Sequence, residues 1–308
     1  MKSLARLATV TLGWNLLVIL WGAVVRATGS GAGCGAHWPS CNGEVIPLAP
    51  SIGTLIEYSH RATSGIALLL VALLCYSVFR HRAASHPARF WAAASMALIL
   101  SEAAVGAGLV LFEKVAGDTS VARGFWISGH LINTFLLLAA LTLTVRFADA
   151  RRVASNGVFA GFHEAFPRGR PKVATLGLIV ALVITGISGA IAALGETLFP
   201  SLTLAEGIAK DFSSASHVFL RLRVFHPIIA LGGGAWILFA AYRIRLDALA
   251  HPAQRKLAVL VAALVVGQWL LGLINLILLA PTGLQIAHLL MADLIWITLI
   301  LAIAEPAE

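Results

Sequence analysis

The chain has 308 residues, 59% of them hydrophobic and only 12% charged, with a mean hydropathy of +0.90. That length allows one large domain or two of ordinary size, and that composition excludes the soluble class. The net charge of +8 would suit a nucleic-acid binder, but its placement along the chain argues for a membrane and against nucleic acid.

Runs of about 18 or more mostly apolar residues read as membrane helices. Eight are read here, at roughly 9–27, 55–79, 90–112, 121–146, 172–195, 217–241, 257–280 and 283–304. Backbone polar groups in a bilayer must be satisfied within the spanning segment, so the predicted fold class is an all-α membrane protein, a helical bundle. With a cytoplasmic N-terminus, the inner ends and loops hold Lys2, Arg6, Arg80, Arg82, Arg89, Arg146, Arg151, Arg152, Arg168, Arg170, Lys172, Arg243, Arg245, Arg255 and Lys256. The outer side holds Arg26, Arg61, Lys114, Arg123, Lys210, Arg221 and Arg223. That division, 15 against 7 of the 22 basic residues, follows the positive-inside rule and places both termini in the cytoplasm. The first run follows MKSLAR in the manner of a signal peptide, but RATGSG offers no small-x-small cleavage site, so it is kept as a helix.

The first span ends in RATGSGAGCGAHWPSCNGEVIPL, a Gly-rich outer loop that cannot be helical throughout. Its Cys34 and Cys41 would face an oxidising compartment, which favours a disulfide over a metal site, as a loop staple or as a redox pair. Cys75 lies inside the second span and reads as packing. That span opens TLIEYSHRATSG. Glu57 and His60 lie three apart and share a helix face. A carboxyl at the membrane boundary is costly, which makes Glu57 a functional candidate or an interfacial cap. Arg61 follows and is suited to an anionic group at the outer surface. The third span carries Glu102, and the fourth carries His130 and Asn133. Residues 147–171 are polar, Gly-rich and basic, and mark the boundary between halves.

The second half repeats the first. GQWLLGLINLILLAP aligns with SEAAVGAGLVLFE, which sets Gln268 opposite Glu102 and Gly272 opposite Gly106. The sixth and eighth spans carry His226 and His288 where the second and fourth carry His60 and His130. The four histidines lie on spans that run inward, at similar depth near the outer side. The expected architecture is two tandem, pseudo-repeated four-helix bundles in the same orientation, not an inverted repeat. The expected domains are 1–150, a linker at 151–171, and 172–308. Residues 196–216 are read as an outer loop with a short surface helix.

Facing helices of a four-helix bundle can hold a haem by one imidazole each. Zinc takes three or four close ligands, and no H-x-x-H or H-x-x-x-H cluster occurs within a span. Two bis-imidazole haems are therefore the simpler reading. The remaining histidines, His37, His81, His86, His163, His217 and His251, are read as solvated loop or helix-end residues. Arg61, Arg123, Arg221 and Arg223 sit near the outer ends of the histidine-bearing spans, suited to haem propionates or to headgroups and loop carboxylates.

Together TGSGAGCGAHWPSCNG, IEYSHRATSG, GHLINT, the Arg-x-x-x-His-Pro of RLRVFHP, GLINLILLAP and QIAHLLMADLIWI cover nearly the whole chain. They resemble the haem A synthase family, membrane enzymes that oxidise haem O to haem A for cytochrome oxidases, and in particular the bacterial members with a cysteine pair outside the first helix. The resemblance implies that His60 and His130 bracket the substrate haem O in a catalytic N-terminal half. It implies that His226 and His288 ligate the iron of a haem b in the C-terminal half, that Glu57 is the essential acid, and that Cys34 and Cys41 form the disulfide. Glu102 departs from the expectation of a glutamine like Gln268. The implied setting is the plasma membrane of a bacterium, in contact with lipid, with haem O handed over by a haem O synthase and with room for a homo-oligomer.

The implied reaction converts the C8 methyl of haem O to a formyl group by two successive oxidations through an alcohol, a hydrated aldehyde then losing water. Iron held by two histidines has no open position for O2. Either an imidazole leaves, or electrons are withdrawn from the macrocycle and water supplies the oxygen; the second is the favoured reading. Glu57 would then accept the proton lost from the methyl group, and the C-terminal haem b would relay electrons. The alternative is a di-haem membrane electron-transfer protein of cytochrome b type, which the histidines alone fit equally well. A transporter would call for broken helices in inverted repeats, which the sequence lacks.

Overall fold

The computed structural model describes residues 2–148, 172–247 and 250–304, and every named element among them is helical. In chain order these are α1 (Lys2–Ala27), a 3-10 turn (Ser30–Ala32), α2 (Ile52–His81), α3 (Pro87–Leu111), α4 (Val121–Ala148), α5 (Lys172–Leu198), α6 (Leu204–Phe212), α7 (Val218–Arg223), α8 (Phe225–Leu246), α9 (Pro252–Ile277) and α10 (Thr282–Ala304). Eight helical spans, with α7 and α8 counted as one, are long and apolar enough to cross a membrane. The proposed linker 151–171, with Arg151, Arg152, His163, Arg168 and Arg170, lies outside the described residues.

Local signals set the helix ends. Ser51 caps α2 by accepting the Thr54 N–H at 3.1 Å. Both α3 and α9 begin with proline just after a histidine, and the imidazoles of His86 and His251 accept the N–H of Ala88 and Ala253, each at 3.2 Å. His217 caps α7 in the same way, through the Phe219 N–H at 3.3 Å. These three were expected to be solvated; they instead satisfy the orphan donors of a helix start, with proline at the first helical position in two cases. The span expected at 217–241 is broken at Val224 into α7 and α8. Pro227 is the cause. It has no N–H to offer the carbonyl of Arg223, four residues back, and its ring crowds that carbonyl.

Lipid is as apolar as a leucine side chain, so helices here associate through close packing and polar contacts rather than through a hydrophobic driving force. In the first half α1, α2, α3 and α4 pack in sequence and α4 returns to α1; in the second, α5, α8, α9 and α10 do the same. The halves meet along α4 and α10, with α1 and α5 beside them, and α4 and α10 are the most enclosed spans. At this seam Trp296 stacks on Phe135 with centroids 5.0 Å apart, and its indole N–H donates to the Phe135 carbonyl at 2.7 Å. Near the outer end, Arg26 of α1 crosses to the other half. Its guanidinium donates to the Ala193 carbonyl at 2.8 Å, to Thr197 Oγ1 at 2.7 Å and to Gln285 Oε1 at 2.8 Å. The surface helix expected within 196–216 is α6, which Arg223 ties down through Asp211 (2.5 Å) and Glu196 (2.6 Å).

Candidate functional site

The four histidines singled out in the sequence lie on α2, α4, α8 and α10. His226 of α8 and His288 of α10 face each other with ring centroids 6.3 Å apart and planes at 86°. An imidazole nitrogen binds a metal at about 2 Å, so two imidazoles on opposite sides of one metal stand roughly 6 Å apart between centroids. Ser188 of α5 spends its one hydroxyl proton on the Thr185 carbonyl at 2.8 Å, so its oxygen accepts from Nδ1 of His226 at 3.0 Å. That leaves Nε2 of His226 bare, the nitrogen a metal needs. His288 has no partner on Nδ1, while its Nε2 lies 3.3 Å from the Gln268 amide.

His60 of α2 and His130 of α4 are the histidines of the other half. Glu102 of α3 brings Oε1 within 3.2 Å of His130 Nδ1. The same carboxylate receives the Thr134 hydroxyl and the Asn133 amide, each at 2.5 Å. Asn133 in turn accepts from Ser101 Oγ at 2.7 Å. Nδ1 of His60 has no partner.

Three of the rings bring their Cε1 edge close to a glycine of a neighbouring helix. A Cβ on Gly22, Gly189 or Gly272 would stand 3.1, 3.0 or 3.1 Å from Cε1 of His60, His226 or His288 respectively. All four histidines are half-buried, and among the described residues no group of three or more His, Cys, Asp or Glu gathers as a metal cluster. The separation of His226 and His288, the bare Nε2 of His226 and the glycines beside the rings fit one metal held between these two histidines.

The loop between α1 and α2 is tied to α2 close to His60 in the chain. Cys34 and Cys41 form the disulfide expected from the resemblance. Glu57 is 3% exposed. Its Oε2 accepts the Cys34 N–H at 2.8 Å, and its Oε1 pairs with the Arg61 guanidinium. Arg61 also donates to the carbonyls of His37 (2.6 Å) and Ser40 (2.7 Å). Gly33 sits so close to α2 that a Cβ would meet the Gly53 backbone at 2.5 Å, and Thr54 Oγ1 donates to its carbonyl at 2.8 Å. Thus Arg61, Arg123 and Arg223 all hold groups of the protein here: Arg123 donates to the carbonyls of Ala116 (2.5 Å) and Asp118 (2.8 Å).

Sequence reasoning flagged Glu102 without a role and missed Ser188 and the three glycines beside the rings. Serines and glycines are common in membrane helices, so nothing in the sequence sets these apart. It also missed Asp293 of α10, which is fully buried with neither carboxyl oxygen hydrogen-bonded. A cleft of about 480 Å³ between α3 and α4, lined by Val105, Phe125, Trp126, Gly129 and Asn133 among others, adjoins the Glu102 network through Asn133.

The family described as COX15-CtaA, cytochrome oxidase assembly protein, matches residues 5–300. A Thermus thermophilus protein named protoheme IX farnesyltransferase is 44% identical over 309 residues, covering 99% of this chain and 48% of that protein. A heme A synthase of Shouchella clausii is 40% identical over 140 residues, 46% of each chain. One from Exiguobacterium sibiricum is 33% identical over 178 residues, 57% of this chain and 54% of its own. This chain spans about half the length of the curated relatives it matches.

Proposed function

Since this chain belongs to the COX15-CtaA family of cytochrome oxidase assembly proteins, we propose that it converts haem O to haem A, the activity that the names of several of its relatives carry. The observation that carries the reading is the facing pair His226 and His288 at 6.3 Å, with a second pair, His60 and His130, on α2 and α4. In this reading the N-terminal half, 1–150, takes the substrate and the C-terminal half, 172–308, holds a haem b, the two being copies of one duplicated unit. The contact order of helices, the same in each half, supports the duplication.

His60 and His130 bracket haem O. Turning its C8 methyl into a formyl group adds one water and releases four protons and four electrons in all, by way of the alcohol and the hydrated aldehyde. His226 and His288 would hold a haem b, which would pass those electrons one at a time to an acceptor outside the chain. Glu57 accepts a proton on the outer side. A carboxylate has about four acceptor positions, and Arg61 and the Cys34 N–H leave room for one further donor. The Arg61 contacts hold that carboxylate and the disulfide loop over the His60 end of α2, which shields the reacting edge from bulk water.

The chain lies in a bacterial plasma membrane with both termini cytoplasmic, and takes its substrate from a haem O synthase. The Thermus relative named for farnesyl transfer to protohaem, half of which resembles this chain, supports that hand-over. The test is pigment analysis: the protein is expressed with a source of haem O and the extracted haems are separated. Hydroxymethyl or formyl haem is expected, and His60→Met or Glu57→Ala should abolish it while the C-terminal haem b remains. Unaltered haem in both halves would instead establish a di-haem electron-transfer protein.

A further inference from the structure

Glu102 stands where the other half has Gln268, and its surroundings differ in kind. Its carboxylate accepts from Asn133 and Thr134, and its Oε1 lies 3.2 Å from Nδ1 of His130, at ion-pair distance but not aligned as a hydrogen bond. In the second half the imidazole with an acceptor on Nδ1 is His226, and that acceptor is the neutral hydroxyl of Ser188. Gln268 lies on Nε2 of His288, not on Nδ1.

We propose that Glu102 is a positioning residue for the N-terminal histidine pair: its carboxylate, 3.2 Å from Nδ1, favours the His130 tautomer that bares Nε2, and its charge makes that imidazole a stronger donor than either ring of the other half. The proposal rests on the reading that His60 and His130 bracket a haem. A carboxylate accepting the outer N–H of a ligating histidine fixes ring orientation and raises ligand basicity. A more basic axial ligand stabilises the oxidised iron, because hydrogen bonding around the ligands tunes potential. The N-terminal centre is therefore the easier of the two to oxidise, so electrons leaving it run downhill towards the His226–His288 half. A neutral amide at position 102 could keep the ring in place but could not supply the charge.

The test uses the full chain in detergent, loaded with protohaem IX and titrated optically against potential, with haem counted per chain. The wild type should show two components, and His130→Ala should remove the lower one. Glu102→Gln should move that lower component to higher potential and leave the other unmoved, while Glu102→Asp, which restores the charge, should fall between Gln and wild type. An unmoved upper component reports that the variants are folded. If Glu102→Gln leaves both components in place while His130→Ala still costs a haem, this proposal is overturned and the ligand assignment stands. If His130→Ala costs no haem, the ligand assignment fails and the proposal falls with it.

Discussion

In the N-terminal half the imidazole of α4 leans on a carboxylate, and a disulfide loop is strapped to α2 close to His60 in the chain. In the C-terminal half the imidazole of α8 leans on a hydroxyl, and the helix carrying it is broken by Pro227. The helix contacts run in the same order in both halves, so the contrast lies in side chains and in the segments that lead into the spans. One bundle plan can present two similar histidine pairs while surrounding one with charge and leaving the other neutral. Under the proposed function, such a difference would separate a site where a haem is altered from one where a haem only exchanges electrons.

The sharpest way to break this comparison is to empty one half. His226→Ala should abolish the haem signal of the C-terminal half and leave that of the N-terminal half, read as haem per chain and by absorption spectrum. Next in size is the strap. Glu57→Ala strands the Arg61 guanidinium and the Cys34 N–H, and loss of one partner from a buried pair costs about 3–5 kcal/mol. Proteolysis of the outer loop should accelerate and product formation cease, with no change in the C-terminal haem. Arg26→Ala removes three charge-assisted hydrogen bonds between the halves and should lower stability by about 2–3 kcal/mol, read by thermal unfolding in detergent. The smallest effects test the glycines beside the rings. Gly272→Ala pushes a Cβ to within 3.1 Å of His288 and should cost about 1 kcal/mol through overpacking. Gly106→Ala, the aligned position, meets nothing within 4 Å and should stabilise the haem-free protein by about 0.5–1 kcal/mol.

The eight spans and the pairing of His226 with His288 could be read from the chain because each has a one-dimensional signature: apolar length, and an imidazole where polarity is costly. The break at Val224 was also written there, in Pro227, but the surrounding hydropathy continued through it and hid the kink. The roles of His86, His217 and His251 depend on whether a ring folds back onto its own helix start, which composition does not report. Glu102 was visible as a misfit against Gln268, yet its meaning came only from α3 and α4 lying side by side. The burial of Glu57 was missed because the outer loop folds back onto α2 through Gly33, a contact between residues about twenty positions apart.

Trp296 belongs to the last helix, yet it lies in one continuous core with Phe135, Leu138 and Leu141 of α4. The two halves thus share one interior. Residues 1–150 synthesised alone would present α4 with a greasy, unfilled flank, and should be degraded or aggregate. Supplying 172–308 from a second transcript in the same cell should rescue them, the two fragments completing each other's interior without a peptide bond between them.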